Sequence, residues 1–212
     1  MPTIIALYEE DAYDALEYLG ITNLIGAHLA LCRPREINYA YVGYGYGICT
    51  HWLDRDTCLN ETLGGPTYDV LLVDYSRNCL SVDWSRLRSP GRLPTYQPLK
   101  AVIDFDAGSE PLDPNWSTYW QHVRAIVGSV VEANISKTLS VVMLVGESAE
   151  DATLRENIER AVADFGSPTI LVDDPIYVTA KGAADIGWRS LEIERHEQQW
   201  HVQALGEGLL RR

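Results

Sequence analysis

Leu139-Ser-Val-Val-Met-Leu-Val145 is the stretch on which the fold turns. It is apolar, rich in β-branched side chains and free of charge, so it reads as a strand buried on both faces rather than on one. Working outward, the chain alternates. Glu150–Phe165 has the spacing of an amphipathic helix, stopped by Gly166, and Thr169–Val172 is a short second strand. Ile176–Gly187 then reads as a helix that begins directly after Asp174-Pro175. Strand, helix, strand, helix in this order predicts an α/β fold.

Upstream the pattern changes. Tyr68–Tyr75 is a dense β-favouring run, and Cys79–Leu87 alternates Leu80, Val82 and Trp84 against Ser81, Asp83 and Ser85. Ser76-Arg77-Asn78 between them is a short polar turn, so the pair predicts a β-hairpin. A loop with proline and glycine, Ser89–Pro98, leads to a strand at Leu99–Phe105. Asn115–Asn134 sets Trp116, Tyr119, Trp120, Val123, Ile126, Val127 and Val130 on one helical stripe, with Pro114 at its start. Nearer the N-terminus, Thr3–Tyr8 has strand character and Glu9–Leu19 helical spacing closed by Gly20, while residues 21–32 suit either state. Tyr39-Ala-Tyr-Val-Gly-Tyr-Gly-Tyr-Gly47 predicts a strand with Tyr39 and Tyr41 down one side, then a shift of phase to Tyr44 and Tyr46. Its glycines weaken that strand. The hairpin and the later alternation together predict a mixed sheet with flanking helices in a single domain over 1–212.

Charge excludes several functions. Seventeen basic against thirty acidic side chains leave a net charge of −13, and the basic residues cluster only at Arg86–Arg92 and Arg211-Arg212. Such a surface repels phosphate backbones, so no nucleic-acid partner is expected. No run reaches the roughly 20 apolar residues that a bilayer span needs, and the opening residues lack a basic leader, so the expectation is a cytoplasmic protein away from membranes. In that compartment Cys32, Cys49, Cys58 and Cys79 are expected to stay reduced thiols. Cys49-Thr-His-Trp-Leu-Asp-Arg-Asp-Thr-Cys58 gathers zinc-competent side chains, but it lacks paired C-x2-C spacing and reads as a loop without metal. His196 and His201, five apart, are off the register that joins two imidazoles on a helix and read as surface residues.

Leu144-Val-Gly-Glu-Ser148, the helix after it, and Asp174-Pro-Ile-Tyr-Val-Thr-Ala-Lys-Gly-Ala-Ala184 resemble the end of the nucleotide-binding domain of seventy-kilodalton heat-shock chaperones and actin-like ATPases. The family pattern there is L-V-G-G-S, an amphipathic helix, then D-P-x-x-A-V-A-x-G-A-A. Gly182, Ala183 and Ala184 suit close packing of that helix on a neighbouring sheet. Val73-Asp-Tyr-Ser-Arg-Asn-Cys-Leu-Ser-Val82 is similar to the D-L-G-G-G-T-x-D-V phosphate hairpin, and Leu7–Leu19 to the helix before it. The resemblance is specific over residues 141–188. It implies a ribonuclease H-like half-domain, the second lobe of an actin-like ATPase in divergent, fungal-type form, with 33–66 a Tyr/Gly-rich insertion. The first lobe would be missing.

The nucleotide contacts implied by the family are altered. Ser76-Arg77-Asn78 stands where a glycine triplet wraps phosphate, and only glycine reaches such backbone angles freely. Glu147 replaces the second glycine of G-G-S, and Glu150 stands where the chaperones commonly have an adenine-stacking arginine. An anion there opposes a triphosphate by about 1 kcal/mol even across water. No ATP binding and no cofactor are expected.

A half-domain exposes the face its partner lobe covered, so the Tyr39–Trp52 segment is expected to fold over it, or a second copy of the chain to cover it as a homodimer. Either could leave an aromatic-lined cavity for an apolar small-molecule ligand. Two functions then stand side by side. The first is a cofactor-free enzyme of cyclase, isomerase or dehydratase type, in keeping with similar fungal proteins found beside natural-product genes. Tyr39, Tyr41, Tyr44, Tyr46 and Tyr75 would line its pocket, His51 would shuttle protons and Asp74 would act as base. The second is a non-enzymatic interaction or regulatory protein with a protein partner. For the tyrosines packing is an equal reading, and His51 has no partner visible in the sequence.

Overall fold

The structure, a computed structural model, describes residues 36–88, 96–110, 116–132 and 138–210. The strand expected at Thr3–Tyr8, the helix at Glu9–Leu19, the 21–32 run and Cys32 lie outside the described residues. Five strands form one mixed sheet in the order β3-β2-β1-β4-β5. β1 (Thr67–Tyr75), β2 (Leu80–Arg88) and β3 (Tyr96–Asp104) run antiparallel in succession. β4 (Val141–Val145) pairs parallel to β1, and β5 (Thr169–Leu171) parallel to β4. Every residue of β4 is buried, as its uncharged apolar run requires of a strand with neighbours on both edges and helices on both faces.

Alternation along β1 divides the core. Leu71, Val73 and Tyr75 join Leu80, Val82 and Trp84 beneath α3 (Trp116–Val131) and α4 (Ala152–Val162), which contribute Trp120, Val123, Val127, Leu154 and Ile158. Val70 and Leu72 face the other way, with Val141, Met143 and Val145, and pack against Ile37, Ala40 and Tyr41 of α1 (Glu36–Gly43) and Val178 of α5 (Val178–Leu210). Across the hairpin, Arg86 donates through two nitrogens to its strand partner Asp69, at 2.9 and 3.3 Å, so the nearly buried carboxylate is paired.

Three expectations are corrected. Tyr39–Gly47 is not a strand: residues through Gly43 are the helix α1, and the chain then turns through Gly45 and Gly47, both at positive φ. Glu36 in the first turn suits a helix N-terminus, and tyrosine's β preference yields to tertiary packing. Gly182 does not pack on the sheet. Its Cα faces α1, where a Cβ would lie 1.8 Å from the Tyr39 carbonyl oxygen, and Gly43 meets the Val178 carbonyl in the same way. Finally, α5 does not stop at Gly187 but continues to Leu210. Asp185 and Arg189, paired at 3.0 Å in the favourable i, i+4 order, bridge that glycine.

The cysteines give the fourth correction. Cys49 and Cys58 form a disulfide, with Cα atoms 5.6 Å apart, instead of two thiols, and Cys79 alone is free among the described cysteines. The chain turns back at 50–54 into α2 (Arg55–Gly64), whose N-cap Asp54 accepts from the Asp56 and Thr57 backbone N–H groups, and this return brings the two Cα atoms within bridging range. Among the described residues no group of three or more His, Cys, Asp and Glu side chains could hold a metal ion, and no helix is long and apolar enough to cross a membrane.

Candidate functional site

The carboxyl ends of β1 and β4 lie side by side, Asp74 opposite Val145. In an open α/β sheet this end is where ligands are commonly held. Here the protein's own groups meet. Gly146 leaves β4 at φ +101°, so close to β1 that a Cβ would lie 2.4 Å from Asp74 Oδ1 and 2.6 Å from the Tyr75 carbonyl oxygen. Its N–H donates to the Pro175 carbonyl (3.1 Å), and the Ser148 N–H to the Tyr75 carbonyl (3.1 Å). Glu147 then reaches the hairpin turn, where Oε1 accepts from the Arg77 backbone N–H at 2.8 Å. A carboxylate accepting a backbone N–H makes a charge-assisted bond of the kind that an anionic ligand would make. The Arg77 guanidinium lies 3.2 Å from Glu110 and 3.8 Å from Glu147, exposed pairs that add little. Ser109 N–H donates to the Ser76 carbonyl and Ser148 Oγ to Ser109 Oγ (2.8 Å), so the loop after β3 closes over the same turn.

Asp74 is half-buried on the face that also carries α1. Burial, and then the Glu147 charge, push its carboxyl up to about 6. Glu36, at the start of α1, is raised to about 7 by burial and by the charges of Asp74 and Asp83. Asp74 carries more of the effect, because Glu36 is exposed and solvent screens its charge. The sign of the linkage follows. Between roughly pH 4 and 7 the folded state keeps protons that the unfolded chain has released, so stability is greatest below the unfolded carboxylate range and is lost as pH rises through about 6 and 7. Thermal denaturation from pH 5 to 8 should show Tm falling for the natural chain, and a Glu36→Gln, Asp74→Asn double variant should lose most of that slope. An unchanged slope would remove these carboxyls from the account.

The structure gathers some of the expected pocket residues and separates others. Tyr41 is buried and stacks on Tyr46 with ring centroids 5.2 Å apart, and Tyr46 meets Tyr68 edge-on at 6.4 Å. Tyr44 packs on the same face and donates its hydroxyl to the Leu144 carbonyl (2.9 Å); its phenol is raised by burial and by Asp173 and Asp174. Tyr39 is half-buried on α1, its carbonyl oxygen facing Gly182. Tyr75 is on the opposite face. It hydrogen-bonds the Tyr119 hydroxyl at 2.8 Å, and Tyr119 in turn donates to the Gly108 carbonyl (2.6 Å), so burial and this bond raise the Tyr75 phenol. The sheet therefore stands between Tyr75 and the other four. His51 sits in the disulfide loop with its side chain 64 % exposed, and it has the partner that the sequence did not reveal: Nδ1 is 2.7 Å from Glu61 Oε1. That contact, with the Thr50 N–H, holds the Glu61 carboxyl below its usual range.

Glu36, Glu61 and the contact of Gly146 with Asp74 were missed in the sequence reading. A helix N-terminus at Glu36 was hidden by the strand reading of its segment, and the others depend on residues far apart in the chain.

No family model matches the chain, and no curated protein matches it. Among solved structures, it is similar to one described as a structural study of the Aquifex aeolicus PPX-GPPA enzyme, at 11 % sequence identity and a TM-score of 0.31. The match covers 50 % of this chain and 36 % of that one. The architecture given above stands on strand pairing alone.

Proposed function

We propose that this chain is a nucleotide-independent derivative of the second lobe of heat-shock-chaperone and actin-like ATPases, acting as an interaction protein. The observation that carries this reading is the bond from the Arg77 N–H to Glu147. Two segments of the resemblance, Val73–Val82 of the hairpin and the Gly146-Glu147-Ser148 turn, meet there, and an internal carboxylate takes the N–H that a phosphate would need. The tyrosines support it as well: Tyr41 and Tyr75 are packed into opposite cores, which suits scaffolding better than one substrate wall. Phe105, Ile176 and Tyr177, exposed at the same end of the sheet, offer apolar surface to a protein partner. Calorimetric titration with magnesium ATP and ADP should give no binding heat, and micromolar binding of either would overturn the reading. A stoichiometric complex from the native cells should be weakened by Phe105→Asp or Tyr177→Asp and be unaffected by Asp74→Asn.

One observation favours a second reading, a cofactor-free acid–base enzyme acting on an apolar molecule. Asp74 and Glu36 are raised towards neutrality, as general acids and bases are. Turnover lost in Asp74→Asn, in a chain that still folds, would promote this reading over the first.

A further inference from the structure

The disulfide loop joins two parts of the molecule that otherwise touch little. Among the described elements, α2 packs extensively against no other, and its Leu59 and Leu63 face solvent. Two attachments hold its N-terminal end. One is covalent, from Cys58 in α2 back to Cys49, with both residues only 1 % exposed. The other is the loop tip: Trp52 meets Trp188 of α5 edge-on, with centroids 5.3 Å apart, and the Arg189 guanidinium lies over the Trp52 ring at 5.1 Å. Arg189 is held in that position by both carboxylate oxygens of Asp185, each 3.0 Å away. Glu61 of α2 accepts from the Thr50 N–H at 2.8 Å and binds His51, so the tip and the helix move as one piece.

We propose that the Cys49–Cys58 bridge is a redox latch: it fixes the shape of the loop whose tip seats Trp52 on α5, and its reduction by a dithiol lets that tip and α2 leave α5 and uncovers Trp188, while the five-stranded sheet stays folded. Trp188 is already exposed on its outer side, with Leu191 exposed on the same helix, so release of Trp52 widens an existing apolar surface. Segments with few packed contacts open at low free energy, which gives a reductant access to sulfurs that are closed off in the docked state. One thiolate of the dithiol attacks a bridge sulfur and forms a mixed disulfide, expelling the other protein sulfur as thiolate. The second thiol of the reductant, as thiolate, then attacks the reductant's own sulfur in the mixed disulfide and expels the remaining protein sulfur as thiolate. The protein gains two electrons and two protons, and the dithiol becomes a disulfide. Neither core cluster includes a residue of the 49–64 segment, so its release breaks no contact within either cluster and exposes only the buried Cys49 and Cys58 at its own base.

The test uses the full chain equilibrated with oxidised glutathione, with dithiothreitol as the reductant and trypsin cleavage at Arg55, inside the bridged segment, as the readout. Reduction should make two thiols, Cys49 and Cys58, newly available to alkylation and raise the cleavage rate at Arg55 about tenfold or more, with far-ultraviolet circular dichroism retained. A Cys49→Ala, Cys58→Ala variant should be cut fast with or without dithiothreitol. The proposal is overturned if both cysteines alkylate before reduction, or if Arg55 is cut equally in both states. It is equally overturned if reduction or the double substitution unfolds the whole domain, which would make the bridge a global staple.

Discussion

Alanine at Gly182 should destabilise the protein by about 2 kcal/mol, whereas alanine at Gly187, one and a half turns further along the same helix, should stabilise it by up to about 1 kcal/mol. The two sites share a helix and differ in what faces them. At 182 the new methyl would lie 1.8 Å from the Tyr39 carbonyl oxygen and 2.7 Å from the Gly43 nitrogen, and no rotamer can move backbone. The helices must separate instead, which loosens Ile37, Ala40 and Tyr41 from the sheet. Overpacking of this kind costs up to about 3 kcal/mol, offset by about 1 kcal/mol of helix propensity. At 187 nothing lies within 4 Å of the added atom, so only the propensity gain remains. For a chain of this size a net loss of ~2 kcal/mol lowers Tm by roughly 4–8 °C. Thermal melts of both variants decide the matter, and a Gly182→Ala protein as stable as the parent would remove the close helix crossing.

Gly146→Ala should cost more, about 3–4 kcal/mol, and should also change the pH response. A φ of +101° is strained for any L residue, at a cost of order 1–3 kcal/mol before packing is counted. The methyl would further meet Asp74 Oδ1 at 2.4 Å and the Tyr75 carbonyl at 2.6 Å. Asp74 must swing towards water, which removes the burial that raises its carboxyl, so the fall of Tm between pH 5 and 8 should become shallower. Asp74→Ala in the same background should recover part of the stability, because one of the two clashes disappears. A Gly146→Ala protein with parental Tm and parental pH slope would show that β1 and β4 do not meet as described.

Much of this architecture is legible in the sequence. β4 is an uninterrupted apolar run, Val70–Val73 of β1 is another, and β2 alternates from Leu80 to Trp84, patterns for which a strand between two neighbours has a use. The helices α3 and α4 likewise show their buried stripes directly. The Tyr/Gly segment was misread because its alternation suits a strand, while a helix there depends on Gly43 and Gly182 meeting across a long stretch of chain. Of the candidate site, Asp74, Glu147 and the Ser76–Asn78 turn were singled out from the sequence, whereas Glu36 and the contact of Gly146 with Asp74 were not.

Local pattern therefore determined the mixed sheet, its hairpin, the helices over one face, and a net charge of −13, because burial periodicity and net charge are properties of neighbouring residues or of the whole sum. Tertiary structure alone decided that Cys49 and Cys58 are bonded, that Glu147 binds the Arg77 N–H, and that Tyr75 is parted from the other tyrosines by the sheet. Each of these is a distance between residues that are not neighbours in the chain, and periodicity carries no information about such distances until the chain has closed on itself.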